Sequence, residues 1–292
     1  MNQKKQYTKN SFLALVVFLI SINPGFAQQA QNAGKKPTVS GYAPVNGLQI
    51  YYEIYGEGDP VILLHGAYMT IGLNWAQIIP ELSETRKVIA LEMQGHGRTA
   101  DTDRPFSYAS LADDVAGVME HLDIEKADIL GYSFGGTIAL QLAIQNPERV
   151  NKLIIISTTF KFDGWMPEAR QVFATMEPDF LDNTPLQTEY KNIAPNPEHW
   201  HPFVEKFITF DKENYNLGEE NIRSIKSPTL LIMGDNDGVS MEHKAEMYKL
   251  LGGCVFGDMA GIPESHLAIF PGTGHVSLMM KTKEILDLVK QF

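Results

Sequence analysis

From Tyr42 onward, short apolar runs alternate with longer stretches in which apolar residues recur every three or four positions. Leu48, Ile50, Tyr52 and Ile54 alternate behind Asn46-Gly47, a pair that tolerates the positive φ of a tight hairpin turn, so the chain opens on an antiparallel hairpin. The runs at 61–64, 87–91, 128–130, 153–156, 230–233 and 266–269 are short and mostly aliphatic, as in strands buried on both faces. Between them, Leu111, Val115, Val118, Met119 and Leu122 keep helical spacing, as do Ile138, Leu142 and Ala143, and later Ile285, Leu288 and Val289. Strand and helix in alternation predict an α/β sandwich around a mainly parallel sheet.

Two stretches break this rhythm. From 158 to about 227 the chain is rich in Pro, Asn, acids and aromatics, among them Trp165, Phe173, Phe203, Phe207 and Phe210, without a clear buried strand. It reads as an inserted helical cap, most of whose rings pack it on the main domain while the rest roof a small apolar pocket. The other break is the N-terminus, where Lys4, Lys5 and Lys9 precede an apolar run at 12–22 and the small-residue site Gly25-Phe26-Ala27. This is the pattern of a cleaved signal peptide over 1–27, too short in its apolar run for a spanning helix. A flexible linker is expected over 28–41 and the main domain over 42–292. The protein is accordingly expected to be exported, periplasmic or secreted, with no stable membrane insertion after cleavage.

Charge and cysteine content narrow the partners. The formal net charge is −11, and loss of the leader would remove three lysines and no acid. Such a balance disfavours nucleic acid and anionic lipid as partners. The single cysteine, Cys254, cannot form an intramolecular disulfide, and nothing beside it points to a metal; it is expected near a helix end.

The strongest chemical signal is Gly131-Tyr132-Ser133-Phe134-Gly135-Gly136, which directly follows the run at 128–130 and opens a helical stretch. Gly-x-Ser-x-Gly in a strand-turn-helix context places the serine hydroxyl on a sharp turn above the sheet edge, at a helix start that favours developing negative charge. A serine hydroxyl needs a base, and the base needs an acid to fix its tautomer. Near the end of the chain, Pro271-Gly272-Thr273-Gly274-His275 sets a histidine in a glycine-rich loop after the last strand. Before it, Gly234-Asp235-Asn236-Asp237 places two aspartates after the preceding strand. His121, His199, His201, His243 and His266 lack the glycine-loop context and read as packing or surface residues.

With the order Ser133, Asp, His275, the chain resembles the α/β-hydrolase superfamily over nearly all of 42–292. The resemblance implies a mainly parallel eight-stranded sheet and selects Asp237, last residue of a strand-Gly-x-x-Asp motif, as the acid. Asp235 is then a turn former whose side chain bonds nearby backbone amides. Leu63-Leu64-His65-Gly66-Ala67-Tyr68 resembles the family's His-Gly-x loop, which implies that the backbone N–H groups of Ala67 and Phe134 form the oxyanion hole. His65 is expected to brace that loop, and Tyr68 either offers its hydroxyl or lines the pocket. Glu92-Met93-Gln94-Gly95-His96-Gly97-Arg98-Thr99 resembles the family's Asp-x-x-Gly-x-Gly-x-Ser loop with Glu, Gln and Thr at three positions, and His96 reads as structural.

The resemblance implies a hydrolase of small-molecule carboxylic esters that works through an acyl-enzyme and requires no cofactor or metal. Lactonase, carbon–carbon hydrolase, aminopeptidase and perhydrolase or haloperoxidase-like activities use the same triad. Serine at the elbow argues against the dehalogenase and epoxide hydrolase branches, which use aspartate there. Export argues against ring-cleavage pathways, whose substrates are usually cytoplasmic. The reading from another class, a noncatalytic ligand receptor on the same scaffold, is disfavoured because all three triad positions are filled.

Overall fold

The structure is a computed structural model and describes residues 35–292, so the expected signal peptide and residues 28–34 of the expected linker lie outside the described residues. Its eight strands are β1 (Val39–Val45), β2 (Leu48–Tyr55), β3 (Asp59–Leu64), β4 (Arg86–Leu91), β5 (Ala127–Tyr132), β6 (Val150–Ile156), β7 (Thr229–Gly234) and β8 (His266–Phe270). They form one sheet in the order β1-β2-β4-β3-β5-β6-β7-β8. β1 and β2 pair antiparallel with each other, as do β2 and β4; every other neighbouring pair is parallel.

Helices fill the connections. After β3 come α1 (Ile71–Trp75) and α2 (Ile79–Leu82), after β4 α3 (Tyr108–His121), and after β5 α4 (Phe134–Gln145). The stretch between β6 and β7 carries α5 (Pro167–Thr175), α6 (Pro185–Ile193), α7 (Trp200–Asp211) and α8 (Glu219–Ser224) and is the helical cap. The remaining helices are α9 (Met241–Leu250), α10 (Gly257–Ala260), α11 (His275–Leu278) and α12 (Thr282–Gln291). Among the described residues no helix is long and apolar enough to cross a membrane.

Alternation along the central strands divides the core in two. Ile62, Leu64, Ile89, Leu91, Ile129 and Ile155 face α3, α4 and the cap. Val61, Leu63, Val88, Ala90, Leu130 and Ile156 face Trp75 and the α12 residues Ile285 and Val289. Side chains of a strand point alternately to opposite faces, so a run without polar residues is what a doubly covered strand needs.

The structure departs from the sequence reading in three places. β1 begins at Val39, inside the stretch expected to be linker, because its main chain pairs with β2 from Val39↔Ile54 through Val45↔Leu48 while its first side chains stay exposed. An edge strand held by backbone pairing needs no apolar pattern of its own. The run at 266–269 reads as a doubly buried strand, yet β8 forms the other edge and Ile269 is 40% exposed. Third, α1 and α2 follow β3 where no helix was expected; each is too short to show a full apolar repeat. The hairpin turn is as expected, with φ of 50° at Asn46 and 81° at Gly47, and Cys254 is exposed a few residues past α9.

Candidate active site

Four segments meet at the C-terminal edge of the parallel strands, where open α/β sheets place their ligands. Ser133 follows β5 with φ 51° and ψ −116°, a conformation that costs a non-glycine residue of order 1–3 kcal/mol. The turn holds it there from both sides: its N–H donates to the Ile156 carbonyl at 2.9 Å, and its own carbonyl accepts from Gly136 N–H at 2.9 Å and from the Thr158 hydroxyl at 2.7 Å. Close approach explains the flanking glycines. A Cβ at Gly131 would lie 2.3 Å from the Gly135 carbonyl oxygen, and one at Gly135 only 2.1 Å from that of Leu64.

His275, first residue of α11, brings Nε2 to 2.9 Å from Ser133 Oγ and Nδ1 to 2.9 Å from Asp237 Oδ1. An ionised carboxylate only accepts, so Nδ1 carries the proton and Nε2 is left to accept from the serine hydroxyl. Asp237 is nearly fully buried, which works to raise its pKa. The opposing partners win: His275, the Ser157 hydroxyl and the Val239 N–H, which donates at 3.2 Å, hold the carboxyl down at about 2. Asp235 is exposed and accepts from Thr273 N–H at 2.9 Å and from the Asn236 side chain at 2.7 Å. It therefore ties the aspartate loop to the histidine loop while Asp237 reaches the imidazole.

The loop after β3 shows where its free donor lies. Gly66 N–H donates to Asn74 Oδ1 at 2.7 Å, Tyr68 N–H to His96 Nε2 at 3.1 Å and Met69 N–H to the Gly66 carbonyl at 3.2 Å. Between them, the Ala67 N–H has no acceptor among the described residues, and neither does that of Phe134 at the first position of α4. Two buried imidazoles fix this loop against the one that follows β4. His65 donates from Nδ1 to the Gly66 carbonyl at 2.8 Å and accepts at Nε2 from Met93 N–H at 3.1 Å. His96 donates from Nδ1 to the Gln94 carbonyl at 2.9 Å and accepts from Tyr68. Burial drives His65 down to about 4 and His96 well below the usual histidine range, so both stay neutral and able to accept. Glu92 joins the same construction by accepting from Arg98 N–H at 2.6 Å and from its guanidinium at 3.0 Å.

The cap closes the site with rings. Trp165 stands edge-on to the His275 imidazole at 5.4 Å and donates from Nε1 to the Tyr215 hydroxyl at 3.3 Å. Tyr215 packs on Tyr108 at 4.8 Å, and Phe134 meets Phe207 at 5.0 Å. A groove of about 420 Å³ lies elsewhere on the cap, between Phe162, Pro167, Arg170 and Lys212, and Ser133 is not part of its lining. Among the described residues no group of three or more His, Cys, Asp and Glu could hold a metal ion.

Ser133, His275 and Asp237 are thus joined in one hydrogen-bonded chain, and Ala67 and Phe134 carry the free amides. Ser157, Asp211 and Tyr215 escaped the sequence reading, whereas Trp165 is one of the cap rings it names. Ser157 alone had a signal, since it stands directly after the strand at 153–156, at the same sheet edge as the other site loops.

Comparison with known proteins fits this picture. Residues 59–189 match the family described as alpha/beta hydrolase fold. The chain is similar to a 2-hydroxy-6-oxo-2,4-heptadienoate hydrolase of Pseudomonas putida, 26% identical over 270 residues that cover 84% of this chain and 93% of that one. It is also similar to the dihydrolipoyllysine-residue acetyltransferase component of an acetoin cleaving system of Pseudomonas putida, 37% identical over 284 residues, 89% of this chain and 70% of that one. Among solved structures, Est816, described as an N-acyl homoserine lactone degrading enzyme, superposes with a TM-score of 0.65 at 26% identity, covering 86% of this chain and 99% of that one. By sequence relatives, sheet topology and fold alike, the chain belongs to the α/β-hydrolase fold family and is a hydrolase.

Proposed function

We propose that this hydrolase cleaves carboxylic esters of small molecules, with Ser133 as nucleophile, His275 as general base and Asp237 as the acid that orients it. The observation that carries the reading is the unbroken chain Ser133 Oγ, His275, Asp237 at 2.9 Å per link. His275 takes the hydroxyl proton as Ser133 Oγ bonds to the substrate carbonyl carbon, and Asp237 steadies the imidazolium that forms. The carbonyl oxygen, now an oxyanion, is met by the Ala67 and Phe134 N–H groups, each worth about 3 kcal/mol to such a transition state. His275 then returns the proton to the departing alcohol. In the second half a water molecule, deprotonated by the same imidazole, attacks the acyl-enzyme and restores Ser133.

A second reading is hydrolysis of a carbon–carbon bond. The substrate in the heptadienoate hydrolase's name holds a ketone and a carboxylate but no ester, so hydrolysing it must break a C–C bond. Lactone opening, supported by the likeness to Est816, is the cyclic form of the ester reaction.

The test is hydrolysis of p-nitrophenyl esters from acetate to palmitate, beside that of a 2-hydroxy-6-oxodienoate, by the protein and its Ser133→Ala variant. Ester turnover that vanishes in the variant is the expected result. Turnover of the dienoate alone transfers the assignment to C–C cleavage, and no Ser133-dependent turnover of either overturns both readings.

A further inference from the structure

Asp211 is the last residue of α7, and its surroundings are wrong for a carboxylate in three ways. A helix C-terminus carries partial negative charge, which repels an anion. No cation pairs with it among the described residues: the adjacent Lys212 turns its ammonium to the Met176 carbonyl at 3.5 Å. Its neighbours on the helix, Phe207 and Phe210, belong to the aromatic cluster of the cap. The Tyr68 hydroxyl is the one hydrogen-bond partner, donating to Oδ2 across 3.4 Å, a weak bond, and Oδ1 bonds nothing among the described residues.

Two tyrosines link this acid to the loops of the reacting centre. Tyr68, whose hydroxyl reaches it, follows Ala67 directly in the chain. From the other side Tyr108 packs both on Phe134, at 6.2 Å between ring centres, and on Phe210, at 5.0 Å. The carboxyl is therefore bracketed by one ring next to each of the two free amides. Tyr68, Tyr108, Ser133, His275 and Asp211 are all neither fully buried nor open, as expected of groups lining a narrow pocket.

We propose that Asp211 is a specificity-determining residue that keeps its proton in the folded protein and donates a hydrogen bond to a second oxygen of the substrate close to the scissile carbonyl. The substrate class is thus narrowed to esters or lactones with a second polar oxygen, an inference that rests on the ester reading above. An acid left unpaired in an apolar cleft keeps its proton because burial penalises the charged form; here burial raises the pKa to about 8, against a small opposing pull from Tyr68. The titratable groups that face it are the hydroxyls of Tyr68 and, beyond it, Tyr108 and Tyr215, all held protonated by burial. A neutral carboxyl has an O–H to give. An ionised one has none and repels an anion.

The experiment compares two p-nitrophenyl esters of the same shape, hemisuccinate and methyl succinate, with butyrate as the plain reference, from pH 6 to 9.5. At pH 7 the wild type should favour methyl succinate over butyrate about tenfold in kcat/KM, and this advantage should decline as pH rises through about 8, while turnover of hemisuccinate falls more steeply still because the ionised carboxyl repels it. Asp211→Asn keeps a donor without a titrating proton, so the preference should persist and its decline near pH 8 disappear. Asp211→Leu should lose about tenfold on methyl succinate and under threefold on butyrate. Unchanged selectivity and pH profile in both variants would overturn the proposal. A direct readout needs no turnover: carboxyl NMR of aspartate-labelled protein should show one resonance titrating near pH 8 that is missing in Asp211→Asn, and a resonance already ionised at pH 6 refutes the inference. Loss of Ser133-dependent hydrolysis on all esters counts instead against the ester reading, and the NMR titration still decides the state of Asp211.

Discussion

The loops at the sheet edge and the cap above them enclose the same serine by different means. In the loops nearly every polar group has one named partner, as in the crossed bonds from His65 to Met93 N–H and from His96 to Tyr68 N–H. In the cap, contact runs through rings: Phe203, Phe207 and Phe210 pack on one another and on Phe134 and His96 at 4.9–6.2 Å. Hydrogen bonds are directional and place atoms to a few tenths of an ångström, whereas ring packing fixes volume and tolerates exchange of shape. On the proposed function, the chemistry is held by the hydrogen-bonded side and the choice of substrate falls to the ring-packed one.

That division can be broken most sharply at Asp237. Asp237→Asn should lower kcat about 10⁴-fold by leaving the imidazole in the wrong tautomer, with KM little changed; steady-state kinetics on the best p-nitrophenyl ester measures it. A loss below 100-fold would mean that Asp237 does not orient the imidazole. On the cap side, Phe207→Ala should cost about 3–5 kcal/mol of stability in urea unfolding, while a fluorophosphonate still labels Ser133. If labelling is lost in folded protein, the cap is part of the catalytic framework and the two regions are not separable.

A smaller effect sharpens the contrast within the loops. Ser157→Ala removes a hydroxyl from Asp237 and should reduce kcat about tenfold and stability by about 1 kcal/mol. Asp237 titrates near 2 in the folded chain against about 3.9 unfolded, so its stabilising contribution is complete above pH 4 and lost as pH falls through 2. The stability gap between wild type and Ser157→Ala should accordingly close between those values, which unfolding curves at stepped pH can follow. The smallest expectation is Cys254→Ser, exposed and outside both regions, at within about 0.5 kcal/mol.

The same contrast decides what the sequence could reveal. The central strands and β2 were legible, because burial on two faces or alternation in a hairpin leaves a pattern in the residues themselves; β8 showed as an apolar run although it is an exposed edge. Ser133, His275 and Asp237 were legible too, since each stands in a turn whose glycines and spacing are dictated by close backbone approach, as at Gly131 and Gly135. Asp211 and Tyr215 were not, because an acid after Phe210 on an amphipathic helix looks like any solvated position until the helix's neighbours are known. β1 was half hidden for a related reason: its first residues are held through main-chain pairing, which side-chain pattern does not report.

One consequence of the sheet order concerns inheritance. The strands that flank the cap, β6 and β7, lie side by side and pair from Leu153↔Thr229 to Ile156↔Ile232, so the whole cap is a single crossover between neighbours. A lineage, or an engineer, can replace that crossover as one cassette without altering the register of any strand. New selectivities can thus be acquired by exchange of one contiguous segment, with the elbow, the histidine loop and the aspartate loop passed on intact.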